Sequence, residues 1–165
     1  MQVKEAMKSP AVVAAAETAL HEAARLMRDH KVGCLPVCDN GQLVGIVTDR
    51  DLVWRALADG ACSPESKCSD VMAKPVVTCS PGDSLEEAAR AMDQARVHHL
   101  PVLDADRRIA GVLSLGDLAL KVMFSRPAVA PEEDALGGIG EMTQGIPEET
   151  LADGILRLAA RDAWV

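Results

Sequence analysis

The chain has almost no aromatic residues: one Phe, two Trp and no Tyr among 165 positions. Its core must therefore be built from aliphatic and sulfur-containing side chains, and the stacking platforms that single-stranded nucleic acid requires are missing. A basic surplus is missing too. Seventeen Lys and Arg face 25 Asp and Glu, for a formal net charge of −8. This excludes the counterion-releasing surface of a non-specific DNA or RNA binder, whereas a small anionic ligand needs only local cations. No apolar run approaches the roughly 20 residues of a membrane span. "AVVAAA" at 11–16, behind Lys4 and Lys8, is only a faint echo of a secretory leader. Cysteines at 34, 38, 62, 68 and 79 are odd in number and show no framework spacing. They read as free thiols, which places the protein in a reducing compartment, the cytoplasm. P-loop, G-x-S-x-G and G-x-G-x-x-G motifs are absent, and no enzymatic activity is expected.

What is present is an internal repeat. Laid on 72–104 with a shift of 65, residues 7–39 give 14 identities in 33 pairs, among them Met7, Pro10, Val12, Leu20, Ala23, Met27, Leu35, Pro36 and Val37. One extra residue in 105–110 changes the shift to 66 and brings "GIVTDRDL" (45–52) into register with "GVLSLGDL" (111–118).

Each copy predicts the same elements. A short extended piece follows a proline. Leu20, Ala23, Ala24 and Met27, echoed by Leu85, Ala88, Ala89 and Met92, trace the stripe of an amphipathic helix. Ser84 with Glu87 predicts a capping box for the second copy, and Thr18 is the expected cap in the first. Two strands come next, joined in the first copy by the hairpin signal Asn40-Gly41. A last helix begins near Asp49 or Leu115. Each β-α-β-β-α unit of about 50 residues buries too little surface to stand alone. Two units packed sheet to sheet about a pseudo-twofold axis, forming one core, solve that problem.

This arrangement resembles a tandem pair of CBS domains, the module named after cystathionine β-synthase. The carrying motifs are Leu35-Pro36-Val37 and Leu100-Pro101-Val102 before the hairpins, and Gly-h-h-[Thr/Ser]-x-x-Asp at 45–51 and 111–117. The expected fold is α+β, with the first CBS domain at 3–58, a linker at 59–68, the second CBS domain at 69–124 and a tail at 125–165. In the tail, Leu151, Ile155 and Leu158 stand at helical spacing, and the stretch 148–163 is suited to packing on the core, a second subunit or a partner.

Two readings of the repeated hydroxyl and carboxylate stay open. Thr48 and Ser114 are placed to cap a helix, with Asp51 and Asp117 in its first turn. The same geometry suits a ligand, because an ionised carboxylate accepts the hydroxyls of a ribose in charge-assisted bonds. The resemblance implies the second role, with AMP, ADP or ATP as ligand, or S-adenosylmethionine or NAD, and no required cofactor. It also implies that each cleft mixes the two copies. Val112, Ser114 and Asp117 would be joined by Met7, Val12, Val32 and Gly33. Ile46, Thr48 and Asp51 would be joined by Met72, Val77, Val97 and His98.

By the same resemblance His98 occupies a phosphate-contacting position, and His99 stands where a basic residue is usual. The first copy has Gly33 and Cys34 there, so the clefts are unequal. The one holding Ser114 and Asp117 is expected to suit a phosphorylated nucleotide better; the alternative is that both histidines are merely half-buried strand residues.

Other sites weigh less. Cys34 and Cys38 with the histidines lack structural-zinc spacing. Asp49 and Asp51, two apart on a helix, do not face each other, and Asp49 has Leu115 as its counterpart, so this pair is not read as catalytic. Lys31, Arg50, Arg107 and Arg108 read as solvated. The sequence therefore predicts a non-catalytic, homodimeric regulator that binds an adenine nucleotide and acts on another polypeptide, with no nucleic-acid or membrane partner. The alternative is an interaction module without a ligand.

Overall fold

Leu35-Pro36-Val37 and Leu100-Pro101-Val102 are buried in the first strand of a hairpin in each half of the computed structural model, which describes residues 1–60 and 63–125. In the first half, β1 (Ala14–Ala15) runs parallel to β2 (Cys34–Asp39), which pairs antiparallel with β3 (Gln42–Thr48). Asn40 and Gly41 both take positive φ, 49° and 78°, as the two-residue hairpin signal requires. In the second half, β4 (His99–Leu103) pairs with β5 (Ile109–Ser114), and β1 is echoed only by the parallel bridge of Cys79 to Val102. The tail beyond Ser125, including the stretch 148–163, lies outside the described residues.

The helices obey the apolar stripes. α1 (Leu20–His30) buries Leu20, Ala23 and Met27. After β3 comes a single turn, α2 (Asp49–Asp51), that continues as a π-helix over Leu52–Ala58. A short α3 (Cys68–Val71) precedes α4 (Leu85–Ala95), which buries Leu85, Ala88 and Met92 as the counterpart of α1. α5 (Leu115–Ser125) closes the second half. Ser84 and Glu87 form the expected box: Glu87 N–H donates to Ser84 Oγ at 3.1 Å and Ser84 N–H to Glu87 Oε2 at 2.9 Å. Thr18 is not the cap of α1. Ala19 holds that position, and Thr18 Oγ1 instead accepts from Ala15 N–H at 3.0 Å.

Nor is there a single core. The buried apolar side chains form two clusters, one per half, and each is completed by a piece of chain that precedes the other half. Val3, in a 3-10 turn at Val3–Glu5, is fully buried among Leu85, Met92, Leu100 and Leu113 of the second copy. Cys68, Val71 and Met72 are buried among Leu20, Met27, Leu35 and Val47 of the first.

Backbone hydrogen bonds repeat the exchange symmetrically. Leu85 N–H donates to Met1 C=O and Leu20 N–H to Ser66 C=O; Val3 N–H donates to Asp83 C=O and Cys68 N–H to Thr18 C=O. Farther on, Lys8 and Val112 exchange two bonds of 2.9 and 3.0 Å, matched by Ala73 and Ile46.

That close passage explains the repeated glycines. A Cβ on Gly111 would stand 2.6 Å from Lys8 C=O, and one on Gly45 would stand 2.3 Å from Met72 Sδ. Gly111→Ala strikes backbone, whereas at Gly45 part of the clash is with a side chain that can turn. Overpacking costs about 1–3 kcal/mol. Gly111→Ala is therefore expected to lower the urea midpoint more than Gly45→Ala. Val3→Ala is expected to destabilise by about 1–2 kcal/mol, measured by the same unfolding curves. An unchanged midpoint for Val3→Ala would contradict its place in the second core.

Candidate functional site

The two strand-to-helix corners present the same polar group with the same division of labour. At the first, Asp51 N–H donates to Thr48 Oγ1 at 3.2 Å, while Thr48 N–H and Oγ1–H donate to Asp51 Oδ2 at 2.9 and 2.7 Å. At the second, Asp117 N–H donates to Ser114 Oγ at 3.1 Å and the Ser114 hydroxyl donates to Asp117 Oδ2. One carboxylate oxygen is thus engaged in capping. The other faces a cation: Asp51 Oδ1 lies 3.3 Å from Arg55 Nε, and Asp117 Oδ1 lies 3.3 Å from Lys8 Nζ. The carboxylates are 14% and 17% exposed, while Arg55 and Lys8 are 49% and 63% exposed. Lys8 therefore keeps most of its hydration and is free to withdraw, while Arg55 is half-exposed.

The exchange of leading segments assembles the surroundings. Lys8 pairs with Val112 through the backbone, and the Met7 side chain lies against Gly111, so Met7 and Lys8 flank Ser114 and Asp117. Ala73 pairs with Ile46 and Met72 lies against Gly45, which brings that segment beside Thr48 and Asp51. Arg55 also donates to Val71 C=O at 3.0 Å, tying this corner to α3.

At the end of each hairpin, Asp49 N–H donates to Gly33 C=O at 3.1 Å, and Leu115 N–H to His98 C=O at 2.8 Å. His99 stands opposite Ser114 in the β4–β5 register. Its Nε2 lies 3.5 Å from the point that a Cβ on Gly33 would occupy, and Asp49 Oδ2 lies 3.6 Å from that point. Gly33 is thereby brought to the Ser114 corner. Val12 and Val32 are half-buried against the first core and Val97 against the second, whereas Val77 is 37% exposed.

Burial is the main influence on the thiols and on His99. It pushes Cys34 and Cys79 up to about 12 and Cys68 up to about 11, so these groups stay protonated and are poor nucleophiles or metal ligands. Burial also holds the His99 imidazole below its ordinary range, partly opposed by Asp49. Among the described residues no group of three or more His, Cys, Asp and Glu is arranged to hold a metal, and no helix is long and apolar enough to cross a membrane. A separate cleft of about 270 Å³ opens between the halves beside Val44, Val76, Thr78 and Arg107 and does not include the carboxylates.

Three participants are additions to the predicted set. Arg55 was readable from its i, i+4 spacing to Asp51. Lys8 and Asp49 have no charged counterparts in the other copy, where Ala73 and Leu115 stand, so the repeat gave no signal for them. Arg50, the other variable residue of the first corner, stacks over Trp54 at 5.1 Å.

The profile described as CBS domain matches residues 3–57 and 68–134. The CBS domain-containing protein YhcV of Bacillus subtilis (strain 168) is 36% identical over 126 residues, which span 76% of this chain and 89% of YhcV. The CBS domain pair of protein MJ0100, solved in complex with 5′-methylthioadenosine and S-adenosyl-L-methionine, superposes with a TM-score of 0.67 at 27% identity, covering 75% of this chain and 99% of that one. CBSX2 in complex with AMP superposes with a TM-score of 0.63, also at 27% identity, covering 74% and 96%. The duplicated corners, the paired hairpins and these matches lead to one conclusion: the chain belongs to the CBS-domain family, as a tandem pair of CBS domains.

Proposed function

We propose that the chain is a non-catalytic regulatory module that binds an adenine nucleotide of the AMP, ADP or ATP kind between its two CBS repeats and passes the signal to a separate polypeptide. The observation that carries this reading is the division of each carboxylate. Oδ2 of Asp51 and Asp117 serves the cap, and Oδ1 is held by a cation alone: at Asp117 the exposed Lys8, and at Asp51 Arg55, which also bonds Val71 C=O. A ribose diol replacing that cation would keep the cap and gain charge-assisted bonds. The ligands of MJ0100 and CBSX2, which share an adenosyl group, support the same chemistry here; S-adenosylmethionine and NAD remain within it. Because each cleft is lined by segments of both repeats, occupancy would bias how the halves sit against each other, and a population shift needs only differential affinity.

The signal would travel through a homodimer. Trp54 and Leu57, exposed on the helix after β3, recur as exposed Leu120 and Met123 on α5 at the repeat shift of 66. A matched pair of apolar faces suits a symmetric second copy. The competing reading, a ligand-free interaction module, draws on the caps themselves, which already satisfy both hydroxyls and half of each carboxylate.

Calorimetric titration with AMP, ADP, ATP, S-adenosylmethionine and NAD separates the two. Binding of at least one ligand is expected, with Asp117→Ala or Asp51→Ala weakening its cleft about tenfold or more. No heat at millimolar ligand, with an unchanged Tm, would favour the interaction module. Sedimentation of Trp54→Glu combined with Met123→Glu is expected to show a monomer where the native chain sediments as a dimer.

A further inference from the structure

Asp49 does not face Asp51; it faces the other repeat. Its Oδ1 accepts from Arg50 N–H at 2.8 Å, and its Oδ2 points to the junction of Gly33 and His99. The Arg50 guanidinium lies over Trp54 and so does not neutralise it. The charge of Asp49 is felt inward: it acts on the Cys34 thiol, and it heads the charges acting on the His99 ring, ahead of His98, Asp117 and Lys8. The corner at Ser114 and Asp117 therefore holds two carboxylates, Asp49 and Asp117, against one ammonium, Lys8. Burial keeps His99 from adding a second positive charge near neutral pH.

The other corner lacks that second carboxylate. Leu115, buried and apolar, stands at the repeat position of Asp49, and Cys34 at that of His99. There Asp51 is matched by Arg55. The two clefts thus share a ribose-accepting corner but carry different charge.

We infer that Asp49 sets the charge specificity of the cleft at Ser114 and Asp117, turning it against ligands with a 5′-phosphate and toward adenosyl ligands whose 5′ group is neutral or cationic. The anionic nucleotide is left to the cleft at Thr48 and Asp51. This reverses the preference expected from the histidines alone, and it rests on the proposed reading that both clefts take adenosyl ligands. A ribose held at Asp117 and Ser114 meets Asp49 across His99; Asp49 is itself exposed, and its charge acts across the half-buried His99 at a range shorter than the Debye length of about 10 Å.

The test uses the full-length chain carrying Asp51→Asn, which leaves only the cleft at Ser114 and Asp117 able to bind tightly. Adenosine and AMP are titrated into it calorimetrically, with and without Asp49→Asn. Adenosine is expected to bind tighter than AMP, and Asp49→Asn to strengthen AMP about fivefold to tenfold while changing adenosine by less than about twofold. Asn keeps an acceptor for Arg50 N–H, so Tm is expected to stay in place. Should Asp51→Asn fail to fold, Asp49→Asn in the native background is expected to raise the AMP stoichiometry from one to two per chain at fixed AMP. Equal gains for both ligands, or none for AMP, would overturn the assignment while adenosine binding sensitive to Asp117→Ala leaves the proposed function standing. No adenosine binding by any variant would remove both.

Discussion

The passage of one repeat's leading segment across the other repeat's hairpin is the constraint on which the rest depends. It favours glycine at 45, where a Cβ would displace the Met72 side chain, and requires it at 111, where a Cβ would strike the carbonyl of Lys8. It completes each core with apolar groups from the far half. It delivers Lys8 to Asp117 and ties Arg55 to Val71, so both carboxylates report on segments that belong to the other copy. A ligand at either corner, as proposed, would contact the joint between the repeats rather than one repeat's private surface.

The corners combine two demands in one side chain. A cap needs a carboxylate oxygen fixed within hydrogen-bond reach of the helix start, and recognition of a diol needs an oxygen pre-aimed and poorly compensated. Asp51 and Asp117 meet both, because the two oxygens are held by different partners with different exposure. The capping bonds fix the rotamer, so little side-chain entropy remains to be lost on binding. In the proposed function, the structural and binding roles reinforce one another, and mutation of the aspartate would disturb both.

Much of the fold was legible in local pattern. The hairpins, the apolar stripes of α1 and α4 and the Ser84 capping box depend on residues a few positions apart, and each is where its signal lies. Thr18 has the local pattern of a cap without the role, because the cap position falls one residue later, where Ala19 stands at the repeat position of Ser84. The exchange itself leaves no trace in the repeat, since two identical patterns look the same whichever segment docks on whichever half. At the site, the hydroxyl and carboxylate were readable because they are duplicated. Lys8 and Asp49 break the symmetry, and a repeat-based reading treats departures from the repeat as free surface. Their roles come from long-range placement.

The exchange has a bearing on how the pair holds together. Taken singly, each repeat offers a bare groove along its hairpin and an apolar lead-in with nothing of its own to cover. In this structure those two surfaces are matched between the repeats, so a lone repeat would have to trade lead-ins with a twin, as in a domain-swapped pair. Fusing two copies turns that encounter into an intramolecular one at high effective concentration. The linker therefore does more than join two modules: it allows the copies to diverge, so that a carboxylate can appear in one half and a leucine in the other while the mutual clasp is preserved.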